Sequence, residues 1–315
     1  VVAALDVGGT KIAGGLVVYG DDPAQGPRVL ARRSVPTEAA RGGDAVLATL
    51  VEQARALVAA AGELPETAGL PVAGVGVSAA GSIRESDGLV AFANSIMPGW
   101  MGQPVGQTLA RELGLPAAVL NDVRAHALGE VRHGAARGAR SCIMVAAGTG
   151  LGGAVVVEGH VLQGARGFAG MLGHTLHPAA LGVPSAWGTT GHLESVASGS
   201  GIETCYRLAG GDAVGGAEIS RRALAGEELA RSVIEQAGRS LGEAIASWAD
   251  VVDPELVVVA GSVCNAGELW RAALDEGLAA RLAPELAGLR VVEAALGGDA
   301  PLVGAAEQLR DRLAG

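Results

Sequence analysis

Aromatic side chains make up only 3% of this 315-residue chain: two Phe, two Tyr and four Trp. The core must therefore be built from Val, Leu and Ala, and stacking platforms for single-stranded nucleic acid are not expected. Positive charge is short as well. Lys and Arg number 23 against 33 Asp and Glu, a formal charge of −10, which is the wrong sign for a surface that follows phosphate backbones. A small-molecule ligand is expected, with no nucleic-acid partner. Cysteine is limited to Cys142, Cys205 and Cys264, too few and too scattered for a disulfide framework. Free thiols in or beside apolar runs suit a reducing compartment. There is no basic, apolar leader, and no apolar run approaches the roughly 18 residues of a membrane span. The expectation is a cytoplasmic protein with no membrane partner.

Apolar residues and glycine are abundant. The chain is 49% hydrophobic with 50 glycines, enough apolar material for a core in each of two lobes. The glycines follow no three-residue period, which excludes collagen, and they concentrate where strands meet loops. The first such place is Leu5-Asp6-Val7-Gly8-Gly9-Thr10-Lys11. Val1 to Leu5 reads as a buried strand with Asp6 at its end, where a carboxylate can face a cleft. Gly8 and Gly9 permit a tight turn that brings backbone N–H groups, the Thr10 hydroxyl and the Lys11 ammonium to a phosphate. A carboxylate beside such a turn points to Mg²⁺, which prefers oxygen ligands and retains waters that Asp6 can hold. A plain hairpin with an exposed Asp shares this pattern.

Further along, Ile12 to Tyr19 and Arg28 to Val35 read as strands. Residues 43 to 62 have helical spacing, and Gly74 to Ser78 is a buried strand. Ala117 to Leu120 is a short strand running into Asn121-Asp122 and a helix from Val123 to Arg132. Asp122 thus falls at a strand's carboxyl end, where open α/β sheets bind ligands, although an N-cap aspartate would fit there too. Ser141 to Ala147 leads into a second glycine turn, Gly148-Thr149-Gly150-Leu151-Gly152-Gly153, and the strand Ala154 to Val157. Two strand–glycine turn–strand units about 140 residues apart suggest two homologous halves facing one cleft. Residues 164 to 201 read as loops and short helices. Helices follow at 227 to 248 and 267 to 282, and strands at Leu256 to Ala260 and Val291–Val292. The final helix runs from Pro301 to Leu313. The expected division is an α/β lobe over 1–118 and a second over 119–300.

Taken together, Asp6 to Lys11, Asn121-Asp122, Gly148 to Gly153, Gly173-His174, and Leu193-Glu194 with Ala197-Ser198-Gly199 resemble the ROK family of sugar kinases and their repressor relatives. The resemblance covers the whole chain in order. It implies an actin-like, hexokinase-like (ribonuclease H-like) α/β fold with a central ligand cleft, a final helix (301–315) packed back on the first lobe, and a homodimer. It implies ATP and Mg²⁺ as cofactors and a sugar or cyclitol as substrate. Asp6 would hold the metal through water; Gly8, Gly9, Thr10 and Lys11 would meet the phosphates, Thr149 and Gly150 would form the second phosphate contact, and Gly261 would lie against adenosine. Asp122 would be the general base, and Asn94, Asn121, His174 and Glu194 would grip the sugar.

The departures from the family pattern are informative. Family enzymes carry Glu-x-Gly-His, whereas this chain has Met171-Leu172-Gly173-His174, so a carboxylate near the anomeric end of the sugar is missing. The family's structural zinc is bound by that His and by Cys-x-Cys-Gly-x-x-Gly-Cys. Here the second motif reads Ser185-Ala186-Trp187-Gly188-Thr189-Thr190-Gly191-His192, and no structural zinc is expected, a histidine-only site from His174, His177 and His192 being the alternative. Arg124 adds a positive charge near the cleft or forms a surface ion pair. Three functions are consistent with these residues: a kinase of a hexose, an N-acylhexosamine such as N-acetylmannosamine, or a C7-cyclitol; a regulator; and a catalytically silent sugar-binding protein. The family's repressors carry a DNA-binding segment ahead of the first glycine turn, which here starts at residue 6, so the kinase is the expectation.

Overall fold

A computed structural model describes residues 1–20, 22, 25–93, 97–185 and 188–315. In chain order it contains β1 (Val2–Val7), β2 (Lys11–Val18), β3 (Arg28–Pro36), α1 (Gly43–Glu63), β4 (Gly74–Ala79), β5 (Ser82–Arg84), β6 (Leu89–Phe92), α2 (Val105–Leu113), β7 (Ala117–Asn121) and α3 (Asp122–His133). There follow β8 (Cys142–Ala147), β9 (Leu151–Val157), β10 (His160–Val161), α4 (Glu194–Ala197), α5 (Gly199–Leu208), α6 (Gly216–Leu224), α7 (Glu228–Val252), β11 (Leu256–Ala260), α8 (Glu268–Arg281), β12 (Arg290–Glu293) and α9 (Ala300–Ala314). The chain forms two compact units. The first comprises Val1–Gly138, Gln163–Phe168 and Ala295–Gly315, and the second Ala139–Leu162 and Ala169–Ala294.

In the first unit the sheet order is β3-β2-β1-β4-β7. β1, β2 and β3 form an antiparallel meander, and β4 and β7 add parallel to β1. β1 is apolar on both faces because both are covered. Ala3, Leu5 and Val7 pack with Val46, Leu50 and Leu57 of α1, while Val2 and Ala4 pack with Leu302, Val303 and Ala306 of α9, the period-2 alternation of a strand. This unit runs past residue 118 to Gly138, because β7 completes the sheet and α3 packs against α9. By length and composition α1 could cross a membrane, a property hidden by the charged residues that interrupt its apolar run. Its apolar side lies in the core of this unit.

The α3–α9 crossing is close. A Cβ built on Gly304 would stand 1.7 Å from the carbonyl oxygen of Ala125, and one on Gly129 would stand 2.5 Å from that of Ala300. Beyond this crossing lies Glu130, which is fully buried. Its carboxylate accepts the backbone N–H groups of Ala135 (2.7 Å), Ala295 (3.0 Å) and Leu296 (2.8 Å).

In the second unit the order is β10-β9-β8-β11-β12, with β8, β11 and β12 parallel and β9 and β10 antiparallel. Ile143, Val145, Val257 and Val259 pack with Ile234, Leu241 and Ile245 of α7. Leu151, Gly152 and Gly153, read in the sequence as part of the glycine turn, belong to β9. The sequence reading also missed the β5–β6 hairpin and helices α2, α5 and α6, whose apolar faces are short.

The α3–α9 crossing generates a stability prediction. Gly304→Ala should cost about 1–3 kcal/mol, the usual penalty for overpacking, whereas Gly298→Ala, with no atom within 4 Å of the added Cβ, should be near neutral. Urea melts of both variants test this, and equal midpoints would show that the helices part without penalty.

Candidate active site

In the first unit the expected groups gather at the carboxyl edge of the sheet. In the register, Asp6 pairs with Ser78 and Ser78 with Leu120, so Asp6 and the start of α3 lie two strand spacings apart, roughly 10 Å. Asp6 is half-buried and accepts the Ser78 hydroxyl at 2.6 Å. Burial raises its pKa, an effect opposed by the Ser78 hydrogen bond and the charge of Lys11. The turn that follows is closed by Gly8 N–H donating to Lys11 O (3.0 Å), while Thr37 donates to Gly8 O (2.6 Å) and to Thr10 O (3.0 Å). Neither Gly8 nor Gly9 has a left-handed φ, and a Cβ on Gly8 would sit at an ordinary 3.5 Å from Lys11 O. The turn itself therefore does not demand glycine at residue 8; an added side chain would instead fill the approach to the backbone.

Asn121, not Asp122, is the N-cap of α3. Its Oδ1 accepts Arg124 N–H (3.2 Å), and its Nδ2 donates to Gly81 O and to Asp122 Oδ1, both at 2.8 Å. Asp122 Oδ1 also accepts Val123 N–H at 2.8 Å. Among the described residues, no hydrogen bond occupies Asp122 Oδ2. Desolvation, with a smaller contribution from the Asp6 charge, pushes the Asp122 pKa up to about 6 against the pull of the Val123 and Asn121 hydrogen bonds. Arg124 is not on the surface. It is 3% exposed, pairs with Glu85 (3.3 Å) and donates to the carbonyls of Gln163 and Gly167, each at 3.0 Å. Asn94 lies outside the described residues, as does Trp187.

In the second unit, Thr149 and Gly150 sit at the β8–β9 turn. Gly148 N–H donates to Gly150 O (2.9 Å), and the turn's outer carbonyls accept the N–H groups of Gly199 (2.8 Å) and Ser200 (3.1 Å) at the start of α5. Glu194 lies against this turn. Its Oε2 accepts Leu151 N–H at 2.9 Å, and a Cβ on Gly150 would stand 2.7 Å from that oxygen. Gly261 ends β11 with φ 104°, and a Cβ there would strike Ala147 O at 2.2 Å, so only glycine fits. Thr149, Ser200, Glu203, Gly216, Ser262 and Asn265 line a pocket of about 330 Å³. Sequence reasoning found only Thr149 of these. The others are small or polar residues on α5, α6 and the turn after β11, with no periodic signal.

The three histidines do not form a common site. His177 is directed to Glu243 (3.3 Å), and its Nδ1 accepts Ala179 N–H (3.3 Å). The His174 ring stacks on that of His192. Among the described residues, no group of three or more His, Cys, Asp or Glu is placed to hold a metal ion. The donors present do not fit the zinc that the family resemblance implies.

The sequence matches the ROK family over residues 2–312. The chain belongs to that family. A ROK hexokinase from Thermus thermophilus is similar with a TM-score of 0.82, at 33% identity and covering 99% of both chains. A ROK family glucokinase from Streptomyces griseus, solved with glucose and AMPPNP, gives 0.78 at 29% identity, covering 98% of this chain and 99% of the other. The N-acetylmannosamine kinase of Salmonella typhi is 33% identical over 265 residues, 82% of each chain. The fold of this ROK protein is accordingly the actin-like, hexokinase-like α/β class.

The family resemblance implies thiolates where this chain has Ser185, Trp187 and His192, so this ROK protein should purify without stoichiometric zinc. Metal analysis of untagged protein after dialysis against a weak chelator tests this; about one zinc per chain would refute it.

Proposed function

We infer that this chain, an ATP-dependent sugar kinase, phosphorylates a hydroxyl of a hexose or N-acylhexosamine, with Asp122 as general base. The supporting observation is the state of Asp122. The hydrogen bonds from Asn121 and Val123 fall on Oδ1, which leaves Oδ2 for an incoming hydroxyl among the described residues, and its pKa of about 6 suits a base working near neutrality. Asn121 is spent on capping and on orienting Asp122, so its contribution is to aim the base as much as to grip the sugar. Asp6 fits a magnesium ion held through water: it is a carboxylate beside the glycine turn, and it accepts the Ser78 hydroxyl on its Oδ1. Bound there, magnesium supplies neutralisation of phosphate charge. The turn Gly8–Lys11 offers N–H groups and an ammonium to phosphate, and the pocket lined by Thr149 and Ser262 is of a size to take a nucleoside.

Glucose and N-acetylmannosamine, the substrates named for relatives, are the first compounds to assay. Met171, half-buried at the start of the turn Leu172–His174, replaces a carboxylate near the anomeric end. That replacement favours a substrate needing no charged contact there and keeps a C7-cyclitol as the second reading. Met171→Glu should change the ratio of kcat/KM values across a panel of glucose, N-acetylmannosamine, fructose and cyclitols, with the KM for ATP within about twofold of the parent. Constant substrate ratios with a large change for ATP would remove Met171 from the sugar site.

Asp122 must be ionised to accept a proton, so kcat/KM should fall roughly tenfold per pH unit below an apparent pKa of about 6. Asp122→Asn should lower kcat by roughly 10²-fold to 10⁴-fold with ATP binding retained. The same pKa fixes the effect on stability. A carboxyl raised from 3.8 to about 6 in the fold destabilises it progressively as pH rises through that window, so at pH 8 the Asn variant should be more stable by on the order of 3 kcal/mol. An Asn variant with undiminished turnover on the best panel substrate would show that Asp122 is not the base.

A further inference from the structure

His174 and His192 lie 18 positions apart in sequence, yet their rings stack with centroids 5.0 Å apart and planes within 11° of parallel. The main chain fixes this pairing. Leu193 N–H donates to Thr175 O and His177 N–H to Gly191 O, both at 2.9 Å, and Leu176 and His192 form an antiparallel bridge. The His192 ring is held from its edge by Thr189 Oγ1, 3.5 Å from Nε2, and Thr189 in turn contacts Ser185 Oγ at 3.0 Å. Ring lone pairs lie in the ring planes, so two stacked, near-parallel imidazoles do not aim nitrogens at one point about 2 Å from each, as a shared zinc requires. The third histidine is engaged elsewhere, on Glu243 and Ala179. A centroid separation of 5.0 Å is, by contrast, within the range of favourable ring pairs.

We propose that His192 is a positioning residue that fixes the imidazole of His174 by ring stacking, in the place where the family resemblance implies a metal. The sugar-binding part of this proposal rests on the kinase reading. A histidine that sorts hydroxyls needs one ring nitrogen as donor and the other as acceptor, in a set direction. The stack restrains the ring plane without consuming a ring nitrogen, whereas metal ligation would consume one. Burial, together with the neighbouring His192, lowers the His174 pKa, which favours the neutral ring.

The test compares His192→Phe, which keeps a ring, with His192→Ala, which removes it, using proton NMR of the imidazoles and steady-state kinetics. His174→Gln assigns the His174 resonances. The ring-current shift of His174 should persist in the Phe variant and vanish in the Ala variant. The KM for the best panel sugar should rise roughly 3–10-fold in the Ala variant, the size of one lost ring pair. It should stay within twofold in the Phe variant, with the KM for ATP unchanged in both. If His192→Ala does not fold, His192→Gln, polar but without a ring, takes its place with the same expectations. A parental sugar KM in a variant whose NMR shows the ring released overturns the proposal, as does a Phe variant impaired as much as the Ala variant. One zinc per parental chain that is lost in His192→Phe would show a metal ligand instead. If the parent phosphorylates no panel sugar, the kinase reading falls, and the NMR shift still decides whether the stack exists.

Discussion

Two carboxylates share one edge of one sheet, and most of what surrounds them manages that arrangement. Asp6 and Asp122 are separated by a single strand, β4; burial raises the cost of ionising both, and the Asp6 charge raises that of Asp122 further. A fold selected for stability alone would place apolar or amide groups there. The neighbours instead hold the negative form in place: Ser78 donates to Asp6, Asn121 and the Val123 amide donate to Asp122, and Lys11 stands beside the first carboxylate. This tension has the character of a site kept ready for a cationic partner and a proton, at the expense of fold stability.

Much of the fold was legible in the sequence because its central strands are buried on both faces and read as unbroken apolar runs. β1 carries Asp6 next to its last residue, and β8 and β11 run directly into Gly148 and Gly261, so strand and candidate site appear together in Leu5-Asp6 or Ala260-Gly261. The helices that escaped, α2, α5 and α6, are short and carry only two to four buried residues each, too few to make a period visible. Their positions come from long-range packing, and so does the pocket that α5 and α6 line.

Side-chain roles were less legible than side-chain places. The sequence put Asn121 and Asp122 at a helix start, but only the hydrogen bonds show that Asn121 caps and that Asp122 keeps one oxygen free of that duty. Arg124 could be read as a surface residue until its partners, Glu85 and the carbonyls of Gln163 and Gly167, were seen to enclose it. The absence of thiolates at 185 and 192 could be read directly. What replaced them could not, since ring stacking between residues 174 and 192 depends on the register of two irregular segments.

Glu130 ties two passages of the chain to the helix that carries Asp122. Its carboxylate takes amides from two separate passages of the chain, one leaving the first unit through Ala135 and one returning through Ala295 and Leu296. Asp122 and Glu130 stand on the same helix, eight residues and about 12 Å apart at 1.5 Å per residue. α3 is in effect a short rod with Asp122 at its start and, near its other end, the carboxylate that clasps the segments at Ala135 and at Ala295–Leu296.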